Sequence, residues 1–327
     1  MLEDMRVAWN ARKLAERDLG GVCVLSYHGA IERITDPRLQ RNFHEMDAFR
    51  RQVALLKRLR SVSLEELGSW LRGDSSAPRG ATVAVTFDDG YANNVEAASM
   101  LLNAGVPCTI FLTTDAVTSG RPIWTVELAL LFLLGDAPRV SALEGTWPLT
   151  TRAQREDSYQ TVRTRMKKLP STARHAELEM IRGQFAVGEV ERLLDAHPEF
   201  RPLTWGMVRS LAASGVGIAS HGVMHDLHHA AQPPSLRERD LADSKRLIEE
   251  RTGRPCRQFA FPNGESVTES GRELAAAGYE LGFTTRSGFV RAGADPFALP
   301  RLEPGASARL LLERLERPDP SDATRDP

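Results

Sequence analysis

Short apolar runs with the composition of buried strands alternate along this chain with segments of helical periodicity. The runs are continuous and rich in β-branched residues, as in parallel strands that are covered on both faces. Most of them are followed by a helical pattern, and this alternation predicts an α/β fold around a mainly parallel sheet. The clearest strand-like runs are GVCVLSYHG (21–29), ATVAVTF (81–87), VPCTIFLTT (106–114), VGIAS (216–220), RQFAF (257–261) and YELGFTT (279–285).

The alternation is interrupted between about residues 120 and 203, where the sequence is helical and charged and shows no convincing strand. Because the alternation resumes beyond this stretch, we interpret it as a helical insertion within one domain, which covers residues 21–304. An N-terminal helix over residues 1–20 precedes the domain. Residues 305–327, which end in Arg, Asp and Pro, are predicted to be a flexible tail.

Composition and charge narrow the class of protein. The chain has 327 residues, of which 42% are hydrophobic and 26% charged, values typical of a globular protein with a sizeable core. Its 42 basic and 43 acidic residues nearly cancel, which argues against nucleic acid as a partner. Three separated cysteines in apolar segments predict free buried thiols.

Two segments bear on a membrane. The N-terminus lacks the apolar core of a signal peptide, and the most apolar segment, VELALLFLLG (126–135), is too short to span a bilayer. We therefore expect a cytoplasmic protein with no membrane span. A peripheral membrane association through the N-terminal helix or the 126–135 segment stays open.

Residues of possible chemical interest follow several of the strand-like runs. In barrels and in open parallel sheets, chemistry gathers at the carboxyl ends of the strands, so we expect these residues to meet there. They are His28, Asp88, Asp89, His221, Pro262 and Arg301.

His221 and His225 are four residues apart, so that one helical turn would place both imidazoles on the same face. That spacing suits two ligands of one metal ion, although such pairs also occur by chance on protein surfaces. The next two histidines, His228 and His229, are interpreted as exposed loop residues.

The adjacent carboxylates Asp88 and Asp89 strengthen the metal hypothesis. A metal held by two histidines and one carboxylate keeps a coordination position open for water, as catalytic sites do. The second aspartate would then stand beside that water as a base. A strand-end turn is the simpler interpretation of Asp-Asp-Gly, but it does not explain why two carboxylates share the site.

Taken in order, these features resemble the NodB-type polysaccharide deacetylases, carbohydrate esterase family 4. The resemblance extends from Val22 to about Pro304, and its insertion is similar to that of the bacterial exopolysaccharide-locus branch. It implies an irregular, incomplete (β/α)7-type barrel with the site at its C-terminal face. The motifs that carry it are VLSYHGA (24–30), TFDDGY (86–91), PIWTVELALL (122–131), the His221–His225 pair, FAFPNG (259–264) and DPFALPRL (295–302).

The resemblance also implies roles for single residues. Asp88 would be the general base, and Asp89, His221 and His225 would bind a divalent metal, usually zinc. The backbone N–H of Asn263 would donate to the oxyanion. The implied reaction removes N-acetyl groups from an amino-sugar glycan or glycan precursor by attack of a metal-bound water.

Two positions depart from the family pattern. Ala260 stands where many members have the arginine that pairs with the catalytic aspartate, and the nearby Arg257 is not certain to replace it. Arg301 stands where a histidine acts as general acid. Arginine stays protonated at neutral pH, so Arg301 is expected to stabilise an oxyanion or hold an anionic sugar, and protonated Asp88 to return the proton.

Three further residues are predicted near the substrate. His28 is a second candidate acid, with a hydrogen-bonded structural role as the simpler interpretation, and Tyr91 and Pro262 are expected to border the cleft. Two other functions stay open: hydrolysis of a non-sugar amide, and glycan binding by a relic site. The intact Asp-His-His set argues against the relic. The sequence leaves the oligomeric state open.

Overall fold

The structure is a computed structural model that describes residues 2–316. Its helices are α1 (Leu2–Ala15), α2 (Pro37–Gln40), α3 (Met46–Leu56), α4 (Leu64–Leu71), α5 (Asn94–Asn103), α6 (Thr114–Ser119), α7 (Trp124–Leu134), α8 (Arg152–Lys167), α9 (Ser171–Arg182), α10 (Glu189–Ala196), α11 (Trp205–Ala213), α12 (Pro234–Thr252), α13 (Ser270–Ala276) and α14 (Ala308–Glu316). Its strands are β1 (Val22–Tyr27), β2 (Gly29–Ile31), β3 (Phe43–Glu45), β4 (Arg60–Ser61), β5 (Thr82–Phe87), β6 (Cys108–Leu112), β7 (Arg139–Ala142), β8 (Gly145–Pro148), β9 (Gly217–Ser220), β10 (Gln258–Ala260) and β11 (Leu281–Phe283). Short 3₁₀ turns cover Pro198–Phe200 and Pro262–Gly264.

A parallel sheet in the order β1-β5-β6-β9-β10-β11 forms the centre of the fold. The short strand β4 pairs with the first two residues of β5, and β6 pairs with its last three. Every residue of β5 is buried, as its continuous apolar pattern predicts for a central parallel strand. The predicted α/β fold with a mainly parallel sheet is confirmed.

An irregular segment, Leu299–Leu302, closes the curled sheet. The Leu299 N–H donates to the carbonyl of Gly282 in β11 at 2.8 Å. Three residues later, the Leu302 N–H donates to the Val24 carbonyl of β1 at 2.7 Å. The segment therefore joins the last strand to the first without forming a regular strand, which confirms the predicted irregular, incomplete barrel.

The sheet separates two apolar clusters. Alternate side chains of its strands, such as Val24, Ala84 and Phe111, form one cluster together with residues of α4. The intervening side chains, such as Leu25 and Val85, pack against helices that include α3, α5 and α11. The three cysteines are buried with free thiols, as predicted.

The insertion has an apolar cluster of its own, built mainly by α7, α8 and α10. It also contains the antiparallel hairpin β7–β8, so the prediction that it lacks strands is wrong. The hairpin turns at Leu143 and Glu144, with φ of +52° and +60°. Such turns usually carry Asn or Gly, and without those residues the sequence gives no hairpin signal.

The chain ends partly differ from the predictions. Helix α1 lies within the predicted N-terminal helix. Helix α14 packs against α1 and α3 through buried Leu311, Leu312 and Leu315, so the predicted flexible tail is wrong for residues 308–316. Residues 317–327 lie outside the described part, and the domain boundaries stay predictions. Within residues 2–316, no helix has the length and apolarity needed to cross a bilayer.

Candidate active site

The predicted polar residues converge at the carboxyl ends of the strands, around one cavity of about 560 Å³. Asp88 and Asp89 follow β5, His221 follows β9, and Arg301 lies in the closing segment. Pro262 is buried and is not among the residues that line the cavity, so its contact with substrate stays a prediction. The predicted residues that line it are His28, Asp88, Asp89, Tyr91, His221, His225, Asn263 and Arg301.

Asp89, His221 and His225 form a three-ligand set for a metal ion. The Oδ1 atom of Asp89 lies 3.5 Å from Nε2 of each histidine. Among the described residues, no other group of three His, Cys, Asp or Glu side chains has metal-binding spacing. Asp89 Oδ1 is buried and has no hydrogen-bond partner, which is costly for a carboxylate oxygen. A divalent cation between the three side chains would remove that cost, so the residues fit a metal.

The histidine pair is positioned by a loop and not by the predicted helical turn. Residues 221–229 contain no helix, and His225 and Gly222 have φ of +56° and +81°. Asp89 also has a left-handed backbone, with φ of +71°. Left-handed residues other than glycine cost about 1 kcal/mol each, and they concentrate where function requires them.

His221 is oriented by the backbone of β10. Its Nδ1 atom lies 2.7 Å from the carbonyl oxygen of Ala260, which fixes Nδ1 as the donor. Its Nε2 atom is therefore left as the metal-binding nitrogen and faces Asp89. Histidine ligands usually donate their other ring N–H to a protein oxygen in this way.

The insertion supports His225 from the other side. The indole Nε1 of Trp124 in α7 donates to the His225 carbonyl at 3.0 Å. The guanidinium of Arg174 in α9 stacks 5.1 Å from the Trp124 ring and pairs with Asp226 at 2.5 Å. Burial lowers the pKa of His225 to about 4, so its imidazole is neutral near pH 7, as metal ligation requires.

Asp88 is held by a buried bidentate ion pair with Arg301. The two guanidinium nitrogens lie 2.7 and 2.8 Å from the two carboxylate oxygens, and both side chains are almost fully buried. Burial alone would raise the pKa of Asp88, but Arg301 and, less strongly, His221 outweigh burial and hold that pKa below its usual range. Asp88 is therefore ionised near pH 7 and able to accept a proton.

Arg301 thus provides the arginine partner that is missing at Ala260. Arg257, the alternative considered from the sequence, pairs with Glu280 at 3.0 Å on the half-exposed outside of the barrel. The guanidinium that the sequence analysis assigned to an oxyanion or an anionic sugar is engaged by Asp88, and its Nε donates to the Thr284 carbonyl. The two departures from the family pattern compensate each other at this point.

The remaining histidines and Tyr91 have mixed outcomes. His228 is fully buried and lies 3.0 Å from Asp240, so its interpretation as an exposed residue is wrong, and His229 is only partly exposed. Burial raises the pKa of Tyr91, and the Asp89 carboxylate raises it further, so the phenol stays protonated. His28 and Tyr91 border the cavity, as predicted.

Sequence reasoning missed the contribution of the insertion to this cavity. Tyr159, Arg163 and Lys167 of α8 line it. Their spacing of four residues was a readable signal, since residues at i, i+4 and i+8 share one face of a helix. Lys167 reaches the predicted oxyanion residue directly, with Nζ 2.8 Å from Oδ1 of Asn263.

Comparison with known proteins decides the family. The sequence profile described as "Polysaccharide deacetylase" matches residues 75–282, more than half of the chain. The chain belongs to the polysaccharide deacetylase family. The resemblance found from the sequence motifs is thereby confirmed.

Individual relatives of the deacetylase family are distant. Over 107 residues the chain is 28% identical to a Bacillus subtilis (strain 168) protein named "Putative polysaccharide deacetylase YxkH". That match covers 32% of this chain and 38% of the relative, so the alignment spans well under half the length of either protein.

Two solved structures share the fold of this deacetylase. The Streptococcus pyogenes deacetylase PplD, solved in complex with acetate, is 18% identical, with a TM-score of 0.60 over 91% of this chain and 99% of PplD. IcaB from Ammonifex degensii is also 18% identical, with a TM-score of 0.58 over 91% of this chain and 98% of IcaB. At this identity the likeness shows the fold alone.

Proposed function

We propose that this polysaccharide deacetylase removes N-acetyl groups from an amino-sugar glycan or glycan precursor in a metal-dependent reaction. One observation carries the proposal. The Oδ1 atom of Asp89 faces His221 and His225 and has no hydrogen-bond partner, while ionised Asp88 lines the same cavity. The similarity of the insertion's beginning, at residues 122–131, to the exopolysaccharide-locus branch supports an exopolysaccharide or its precursor as the glycan.

The three ligands suit zinc, which is bound in catalytic sites by two histidines and a carboxylate with one position left open. Zinc held there would supply a Lewis acid that polarises the amide carbonyl and lowers the pKa of water. Asp89, His221 and His225 would hold it, while the Ala260 carbonyl and the Trp124 indole fix the two histidines.

Protein groups account for the proton transfers. Asp88, ionised and oriented by both nitrogens of Arg301, accepts the proton of the attacking water. The backbone N–H of Asn263, a residue with φ of +59°, donates to the amide oxygen as that atom gains charge. Arg301 cannot give up a proton at neutral pH, so protonated Asp88 returns it to the leaving amine.

The decisive test is acetate release from N-acetylglucosamine oligomers, measured with and without a chelator and with zinc added back. We expect release that the chelator abolishes and zinc restores. Asp88→Asn should lower the rate by about 10²–10⁴-fold, because a general base contributes that much, while zinc stoichiometry stays unchanged. Near-normal deacetylation by Asp88→Asn would refute the assigned base.

Two other results would each favour another function. Small non-sugar amides, assayed in parallel, identify an amidase if they are cleaved and the oligomers are not. Purified protein that holds no stoichiometric divalent ion and releases no acetate would instead favour a glycan-binding protein.

A further inference from the structure

A polar stripe on α8 faces the catalytic cavity. Tyr159, Arg163 and Lys167 follow one another at intervals of one helical turn, and all three line the cavity. Val162 and Met166, on another face of the helix, are fully buried in the insertion's apolar cluster. The apolar packing of the helix thus holds the stripe toward the cavity, with Arg163 and Lys167 only partly exposed.

The cations of this stripe, together with Arg41 on the same cavity wall, lack carboxylate partners. Among the described residues, the side chains of Arg41 and Arg163 form no hydrogen bond or ion pair, and the Nε atom of Arg163 is buried without an acceptor. Lys167 donates only to the neutral side chain of Asn263. We name Arg41, Arg163 and Lys167 the basic cluster.

Carboxylates in the cavity do not neutralise the basic cluster. Asp88 is paired with Arg301, and Asp89 belongs to the metal set. Glu303 is largely exposed and lies 3.8 Å from Arg314. The cluster therefore leaves net positive charge on one wall of the cavity.

Three buried or half-buried arginines away from the cavity are paired with carboxylates. Arg174 contacts Asp226, Arg182 contacts Glu127, and Arg237 contacts Glu273. These pairs show how the fold satisfies a cation whose role is structural. The basic cluster is different, because none of its three members forms an ion pair with a carboxylate.

Electrostatics agree with this geometry. Burial lowers the pKa of Lys167 to about 8; Arg163 and Arg41 lower it further, and Glu265 opposes them. Burial also lowers the pKa of Arg163, with Arg41 adding to the effect. Like charges that repel one another in a partly buried site are stabilised by an incoming anion.

We infer that the cavity binds an N-acetyl amino sugar that carries an anionic group, a phosphate ester or a carboxylate, on the side facing α8. This inference rests on the proposed function and names the substrate class of the same site. Because Lys167 contacts Asn263, the anion lies next to the residue assigned to the acetamide oxygen. The planar guanidinium of Arg163 matches both phosphate and carboxylate oxygens.

The test measures the affinity of zinc-loaded full-length protein by titration calorimetry, with two matched ligand pairs. One pair is N-acetylglucosamine and the same sugar phosphorylated at its anomeric oxygen. The other is the neutral dimer of N-acetylglucosamine and the disaccharide of glucuronic acid with N-acetylglucosamine. We expect the anionic member of at least one pair to bind about tenfold more tightly, as a charge-assisted contact provides. The pair that shows the preference identifies phosphate or carboxylate as the group.

Single substitutions assign the preference to the cluster. Arg163→Gln and Lys167→Gln should each reduce it about tenfold, to near parity with the neutral ligand. Lys168→Gln is the matched control, because Lys168 is an exposed neighbour that does not line the cavity. It should keep the full preference. Thermal melting of each variant checks that the fold is retained.

Three outcomes would overturn the inference. The first is equal affinity for both members of each pair, and the second is a preference for the anionic member that survives both Gln variants. The third is a preference for the phosphorylated sugar that is lost when zinc is chelated but kept in the Gln variants. The last would make phosphate a ligand of the metal alone. Acetate release, followed in the same samples, separates this inference from the proposed function. Anion-selective binding without any acetate release would refute the deacetylation, and acetate release without anion preference would refute only the inference.

Discussion

The catalytic cavity has two walls that differ in how their charges are paired. The barrel wall carries Asp88, Asp89 and Arg301, and the insertion wall carries Arg163 and Lys167 of α8. On the barrel wall, Asp88 is paired with Arg301, and Asp89 lies between two imidazoles. On the insertion wall, Arg163 lacks any partner among the described residues, and Lys167 has a neutral one. A bound cation would leave all charges of the barrel wall paired, whereas the charges of the insertion wall are paired only when an anionic ligand binds.

This difference separates the chemistry from the choice of substrate. A fully satisfied buried network is rigid and holds its groups in one arrangement, which suits a fixed reaction. Unpaired cations on a helix contribute little to stability and can be replaced without disturbing the barrel. We therefore expect substitutions in the two walls to have different effects, large on catalysis in the first and selective on binding in the second.

The largest expected effect comes from breaking the pair on the barrel wall. Arg301→Leu leaves Asp88 buried without its partner, which should cost about 3–5 kcal/mol in the free energy of unfolding and abolish acetate release. Arg301→Lys should keep part of the activity, because lysine restores the charge but not the two parallel hydrogen bonds. Urea denaturation and acetate assays measure the two effects.

Arg237→Leu is the matched control for Arg301. Arg237 forms a buried bidentate pair with Glu273, away from the cavity. Its loss should cost similar stability while the folded fraction deacetylates normally. If Arg301→Leu behaved in the same way, the pair with Asp88 would be structural only.

An intermediate effect is expected where the insertion supports the barrel wall. Trp124→Phe removes the hydrogen bond to the His225 carbonyl and should weaken zinc binding about tenfold, as loss of an outer-shell contact does. Competition with a chromophoric chelator measures that affinity. Trp147→Phe is the control, since its indole also donates to a backbone carbonyl, that of Ala142 within its own hairpin. Equal zinc affinity in both variants would contradict a role for Trp124 in placing His225.

The smallest effect concerns pH and the insertion wall. Lys167 has a pKa of about 8 beside Arg163, Arg41 and Glu265, so it is protonated below that pH and neutral above it. The ratio of kcat/KM for an anionic over a matched neutral substrate should fall severalfold as pH rises through about 8. Lys167→Arg should keep the ratio constant over the same range, because arginine stays charged. A wild-type ratio that is flat from about pH 7 to pH 10 would exclude Lys167 as an anion contact.

Local pattern was sufficient for the central strands. The run at 81–87 predicted β5, because six consecutive buried positions need apolar and β-branched residues that sequence shows directly. In residues 305–327 the polar end dominates the composition and conceals the helix, although Leu311, Leu312 and Leu315 have the spacing of a buried helical face.

At the site, the sequence identified the groups but not how they are held. His221 and His225 do meet Asp89, yet through left-handed loop residues that no periodicity reports. The pairing of Arg301 with Asp88 joins positions 213 residues apart, and only closure of the barrel brings them together. The motifs show that an arginine is missing at Ala260 and that an unexpected one stands at Arg301. They do not show that Arg301 makes the contact with Asp88 that the missing arginine would make.

The closing segment Leu299–Leu302 has a consequence for synthesis on the ribosome. Asp88 is made early, but its partner Arg301 arrives only after more than two hundred further residues, on the segment that joins β11 to β1. A nascent chain that stops short of this segment has an open seam and an uncompensated carboxylate. The ion pair that orients the proposed proton acceptor and the closure of the barrel therefore form in the same late event.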